Sequence, residues 1–194
     1  MQIAPGVDSS NWWQLDLDHR NVKDWAKAVA IFHQRIIGRY IEPMDFLIVK
    51  EQSMRPSLRR FGFTVLAIDC LLVETLQSFF DGLEDTKDKS ERIVKRFLTT
   101  HPKFKNSFTN EIAKKFYEEF RCGILHQAEI GGKSKVWSTG DFVVHNSEGL
   151  RINRNEFHSR LKEAIKDYES RLLDPKNSRL RRNFRKKMNY ICRN

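Results

Sequence analysis

The chain has 194 residues, 40% of them hydrophobic and 11% aromatic, with a formal net charge of +10. That length and composition describe a folded protein with one sizeable core and exclude a disordered chain or a pair of full-sized domains. Three cysteines (Cys70, Cys122, Cys192), far apart and without a CxxC pair, argue against a disulfide framework or structural zinc and point to a reducing, cytoplasmic setting.

From Met1 to Trp13 there is no basic start followed by an apolar stretch, so no secretory leader is expected. Residues 1–20, with the Trp12–Trp13 pair, read as an N-terminal extension whose tryptophans pack. Asn21 with Asp24 three residues on marks a helix start, and Trp25, Val29, Phe32, Ile36 and Tyr40 follow at helical spacing. Pro43 ends or bends that helix, and Met44 to Glu51 continues it as a short piece. Phe61 to Asp81 forms a long, largely buried helix closed by Gly82. Asp69 and Glu74 within it make a membrane span unlikely on composition, so no membrane association is expected.

Asp81 to Lys89 is a polar loop. Glu91 to Thr99 is a short amphipathic helix that stops before Pro102. Phe108, Ile112, Phe116, Phe120 and Ile124 then recur every fourth residue along a further helix. Gly131-Gly132 breaks it. Val136 to His145, around Ser138 to Asp141, is expected to form a small β-hairpin. The last long helix runs from about Asn153 to Leu173 and is stopped by Pro175. The fold class expected is all-α: a bundle of four to five main helices over 21–173, with one small β-hairpin inserted before the last long helix. Residues 174–194 read as a basic tail. From Pro175 on, Lys176, Arg179, Arg181, Arg182, Arg185, Lys186, Lys187 and Arg193 give it eight cations and no acid, which suits polyanions and RNA above all.

The segment Arg121-Cys122-Gly123-Ile124-Leu125-His126 is the one that speaks of chemistry. Arginine is a permanent cation with a donor fork shaped for phosphate, and histidine moves protons near neutral pH. On an ideal α-helix centred on Phe120, Arg121 lies about 100° to one side of the buried stripe and His126 about 120° to the other. They straddle that face. Two arrangements would bring them together: the helix unwinds after Gly123, or two copies of the segment meet across a two-fold axis. The ordinary structural alternative pairs Arg121 with Glu118 and leaves His126 bonded to a helix-end carbonyl. Glu74, set among Leu71, Leu72, Val73 and Leu76, needs a partner wherever it lies. A buried arginine is the plain choice, and a supporting bond to Arg121 or His126 the functional one. His101, His145 and His158 have no ligand-like spacing, so neither metal nor other cofactor is expected.

Phe120 to His126 resembles the R-x4–6-H signature of the HEPN superfamily, metal-independent ribonucleases and their relatives in toxin–antitoxin, abortive-infection and CRISPR-associated antiviral defence. The resemblance extends over the helical layout from Asn21 to Leu173, with Glu74 as the polar residue on an earlier buried helix. Many active members carry Asn, Asp or His directly after the arginine, where this chain has Cys122. The resemblance implies an endoribonuclease. His126 would assist attack of a ribose 2′-hydroxyl or protonate the 5′-oxygen, Arg121 would stabilise the phosphate, and the product would carry a 2′,3′-cyclic phosphate. It also implies a homodimer with a composite active site, and an antitoxin or other regulatory protein as a possible partner. Arg179, Arg181, Arg182, Arg185, Lys186 and Lys187 would hold the RNA. Two further readings stand beside it: a non-catalytic RNA-binding or scaffolding member of the same fold, and an interaction protein that docks through its basic tail.

Overall fold

A computed structural model describes residues 1–18 and 20–193. The chain is mostly helical, with a two-stranded and a three-stranded sheet, and divides into two compact units. One unit comprises Met1–Asp45, Ser78–Asp85 and Ile165–Asn194; the other comprises Phe46–Gln77 and Thr86–Ala164.

The first unit opens with strands β1 (Gln2–Ala4) and β2 (Val7–Asp8), paired antiparallel about a turn in which Gly6 takes φ +69°. The short helix α1 (Ser9–Trp13) follows. Helix α2 (Val22–His33) begins as expected: Asn21 caps it by accepting the Asp24 N–H, and Trp25, Val29 and Phe32 are buried. A π-helical segment, π1 (Gln34–Ile41), then leads into α3 (Glu42–Gln52). Pro43 sits just past that seam, where the backbone ladder changes register and its missing N–H is tolerated. The N-terminal stretch is therefore part of the folded unit, with Ile3 and Ala4 buried and Arg35 Nη1 donating to the Ile3 carbonyl at 2.5 Å.

Helix α4 (Gly62–Asp81) carries the long apolar run. It is long and apolar enough to cross a membrane by composition, yet most of that stretch is buried within the protein. Helix α5 is Ser90–Thr100, α6 is Asn110–Phe116, and a second π-helical segment, π2 (Tyr117–Gln127), continues α6 without a break. In the second unit Phe104, Phe108, Phe116 and Phe157 form a ring cluster, with Phe116 stacked on Phe120 at 5.4 Å and 13°.

Strands β3 (Lys135–Trp137), β4 (Val143–Asn146) and β5 (Gly149–Asn153) form the larger sheet in the order β3-β5-β4. The hairpin expected across Val136 to His145 is corrected here. The two strands in that span do not pair with each other; β4 turns at Ser147-Glu148 to pair antiparallel with β5, and β5 also pairs in parallel with β3. The mostly buried β5, with Leu150 and Ile152 fully buried, takes the central place with a partner on each edge. Helix α7 (Arg154–Leu173) follows at once, and α8 (Ser178–Arg193) completes the chain.

Within the segment 174–194, expected as a basic tail, Ser178–Arg193 is a folded helix. Helix α8 buries Leu180, Phe184, Met188 and Cys192 on one stripe, and Phe184 meets Trp12, Trp25, Phe32 and Phe79 edge-on or tilted. Its cations occupy the other faces of an amphipathic helix.

Candidate functional site

Three elements of the second unit converge on Arg121: α4 through Glu74, the first residue of α5 through Ser90, and π2 through Arg121 itself. Arg121 Nη2 donates to Glu74 Oε2 at 3.0 Å, and the Ser90 hydroxyl donates to the same oxygen at 2.5 Å. The Arg121 side chain is only 17% exposed and that of Glu74 12%. Screening by solvent is weak at that depth, so the carboxylate holds the guanidinium in one orientation. Arg121 lies over the Tyr117 ring, 5.6 Å from its centroid.

The other edge of the guanidinium reaches His126: Arg121 Nη1 lies 3.3 Å from His126 Nε2. Arginine can only donate, so His126 Nε2 is the accepting atom of this contact. His126 is exposed and Arg121 half-buried, which leaves the pair open to a ligand.

The π-helix makes this contact. Bonds of the i→i+5 kind widen the turn, so residues five apart approach a common face instead of straddling it. The helix widens from Tyr117 onward, and the pair closes within one chain without needing either arrangement. The end of π2 is fixed by the returning chain. Ala128 takes φ 54° and donates its N–H to the Gly123 carbonyl, and Gly131 N–H donates to the Glu119 carbonyl at 2.9 Å.

Charge and burial act on three neighbours. Burial pulls the Arg121 guanidinium down, but Glu74, Tyr117 and Cys122 together hold it above its ordinary value. Burial likewise raises the Tyr117 phenol, with Ser90 opposing and Cys122 reinforcing that shift. The Cys70 thiol, fully buried beside Asp69, is pushed far above its ordinary range. It is no nucleophile.

Glu74 is paired with Arg121, the contact common to both of its anticipated readings. Glu118, the alternative partner for Arg121, pairs instead with Lys114 at 3.7 Å. Asp69 and His158 form a buried pair at 2.8 Å, away from solvent. No cluster of three or more metal-binding side chains occurs among the described residues.

Of the six cations expected to hold RNA, Arg179, Arg182, Arg185 and Lys186 are exposed on α8, within the first unit. Arg181 is corrected. It is 2% exposed, donates to the Leu172 and Leu173 carbonyls at 2.8 Å, and stacks over Trp25 at 4.4 Å. Lys187 is partly engaged as well, donating to the Glu84 carbonyl at 2.6 Å, and burial lowers its ammonium below the ordinary value. Arg182, Arg185, Lys186 and Arg193 instead line a surface pocket of about 400 Å³ with Tyr190.

The sequence reading passed over a second basic surface. Lys89, Arg92, Lys95 and Arg96, with Asp88 and Glu91, line an open groove of about 730 Å³ along α5, the helix whose first residue bonds Glu74. Their i, i+3, i+4 spacing was visible as the polar face of an amphipathic helix, a pattern common to solvated surfaces.

The site defines a compact Arg–His–Glu constellation on a mostly helical chain. No family model, curated protein or solved structure matches the chain.

Proposed function

We propose that the chain is a metal-independent RNA endonuclease of the HEPN type. The observation that carries this reading is the 3.3 Å approach of Arg121 Nη1 to an exposed His126 Nε2. An exposed imidazole nitrogen beside a fixed guanidinium suits a general base that draws the proton from a ribose 2′-hydroxyl. The 2′-oxygen then forms a bond to phosphorus while the bond from phosphorus to the 5′-oxygen breaks. Arg121, held by Glu74, would meet the charge that grows on the phosphoryl oxygens. The products are a 2′,3′-cyclic phosphate and a 5′-hydroxyl. The finer fold assignment belongs to the same proposal: a HEPN-type helical bundle with the three-stranded sheet inserted before α7.

One imidazole per site supplies a base but no acid for the leaving oxygen. A homodimer that presents two Arg–His pairs to one phosphate would supply both, which keeps the dimer within the proposal although each pair closes inside one chain. A toxin or antiviral-defence setting, with an antitoxin or regulatory partner and a cytoplasmic location, follows from the resemblance alone.

Incubation of the purified chain with mixed RNA in EDTA tests the reading. Fragments ending in cyclic phosphate are expected, with DNA left intact and activity lost in His126→Ala and Arg121→Ala. Absence of cleavage, or equal cleavage by His126→Ala, would end it.

A specific observation favours a second reading, a non-catalytic RNA-binding or scaffolding member of the same fold. Arg121 already has a carboxylate partner, and Cys122 stands where many active members have a polar residue. In that case wild type shows no turnover, and the double alanine variant changes RNA affinity or oligomeric state.

A further inference from the structure

Within the second unit, a pocket of about 440 Å³ opens between the start of α4 and strand β3, lined by Glu51, Arg59, Arg60, Phe63, Trp137 and Arg154, with Gly62 and Ser138. Several independent features meet there. Arg59 and Arg60 are exposed, as is Trp137 at 46%. Gly62 and Phe63 belong to the first turn of a 20-residue helix, whose leading N–H groups have no intrahelical acceptor and carry the positive end of the dipole.

Arg154 supplies the observation that separates this pocket from an ordinary helix end. It is 3% exposed and ion-paired to Glu51, yet its Nη1 is buried without a hydrogen-bond partner. A buried guanidinium N–H left unpaired is costly and invites an acceptor. Glu51 offers no compensation beyond its present bonds, because its carboxylate also accepts the Phe61 N–H at 2.6 Å. Against three arginines it leaves the lining net positive. Arg151 stands over the Trp137 indole, 5.5 Å to the centroid, and is held by Glu148 at 2.8 Å. That contact steadies the ring.

We propose that this pocket binds a nucleotide. The phosphate would rest at the first turn of α4 between Arg59 and Arg60, with Arg154 Nη1 beneath, while the base stacks on Trp137. The same chemistry is offered by one unit of an RNA strand or by a free mononucleotide. The pocket shares no residue with the Arg121–His126 pair, so the inference stands whether or not that pair cuts RNA.

Tryptophan fluorescence of the full chain tests it, with the wild-type signal compared with that of Trp137→Phe. Probes are adenosine 5′-monophosphate, adenosine, inorganic phosphate, and a 2′-deoxy hexanucleotide that has no 2′-hydroxyl to react. Adenosine monophosphate or the hexanucleotide should quench Trp137 saturably, and the effect should be absent in Trp137→Phe. Arg59→Ala/Arg60→Ala, at exposed positions that leave the fold intact, should raise the half-saturation concentration about tenfold or more. Adenosine and phosphate should each act more weakly than the monophosphate. Tighter action by the hexanucleotide assigns the site to a strand, and tighter action by the monophosphate assigns it to free nucleotide. The proposal is overturned if neither probe produces quenching that depends on Trp137, or if the double arginine variant responds as wild type does. Either result leaves the cleavage reading untouched, because cleavage is scored on Arg121 and His126.

Discussion

Gly123 and Glu129 are in such close approach that a Cβ added at Gly123 would stand 2.5 Å from the Glu129 carbonyl oxygen. The contact lets the chain fold back against the end of π2, where Glu129 N–H also donates to the Gly123 carbonyl at 3.3 Å. Backbone on both sides leaves nothing flexible to give way. Gly123→Ala should therefore displace the Ala128 turn and carry His126 with it. The expected loss of stability is about 1–3 kcal/mol, as for other overpacked positions, and the loss of RNA cleavage should exceed what unfolding accounts for. Thermal unfolding and cleavage rates measured on the same preparation separate the two. A variant that cleaves normally would mean that the return of the chain does not position His126.

Glu74 anchors one edge of Arg121 and leaves the other edge for His126. Glu74→Gln keeps the shape and retains a bond to Ser90, but removes the charge that holds the guanidinium. Because both side chains are largely buried, the loss should be about 2 kcal/mol, below the full cost of a completely buried pair. If Arg121 acts on the transition state, kcat should fall while KM stays near its original value. A rise in KM alone would assign Glu74 and Arg121 to ground-state binding.

Much of the helical layout could be read from periodicity. The Asn21–Asp24 start of α2, the buried run of α4 and the helix after Asn153 all follow from capping and apolar spacing. The contact between Arg121 and His126 could not be read that way, because the construction assumed α-helical turns. Even so, a trace was present. A strict every-fourth repeat from Phe108 to Ile124 drifts by about 40° per step on an α-helix, and a wider turn brings such residues back into line. The stacked Phe116–Phe120 pair is the outcome. The sheet was misassigned for a different reason: local alternation finds strands, while the choice of partner depends on burial, and Gly149 to Ile152 was assigned to no element. Basic composition also hid the apolar stripe of Leu180, Phe184 and Met188, so a core helix read as a tail.

The three thiols should respond unequally to alkylation. Cys122 is partly exposed, whereas Cys70 and Cys192 are buried. Burial pushes the Cys192 thiol up to about 11, with Arg35 opposing, and pushes Cys70 further still. Iodoacetamide at pH 8 should label Cys122 first, read by mass spectrometry of peptides. The same shifts set a pH dependence. Unfolded thiols ionise at their ordinary value of 9.0 while the folded ones stay protonated, so stability should be flat below that pH and decline as pH rises through 9 toward 11. Equal labelling of all three cysteines under native conditions would contradict the burial of Cys70 and Cys192.

Neighbouring arginines on α8 should behave in opposite ways. Arg181 donates to the last carbonyls of α7 and covers Trp25, so Arg181→Ala leaves one buried and one part-buried carbonyl short of a donor and opens a gap beside the ring. A loss of about 2–4 kcal/mol is expected, since each unsatisfied polar group costs about 1–3 kcal/mol and water can relieve part of it. Arg182 and Arg185 are exposed and line the basic pocket with Tyr190. Arg182→Ala/Arg185→Ala should leave the unfolding midpoint within about 0.5 kcal/mol of wild type, yet weaken RNA binding and flatten its dependence on salt by up to two phosphate contacts. Chemical denaturation combined with binding at two or more salt concentrations distinguishes these classes. An unchanged salt slope in the double variant would remove α8 from the RNA-binding surface and leave the groove along α5 to supply that affinity.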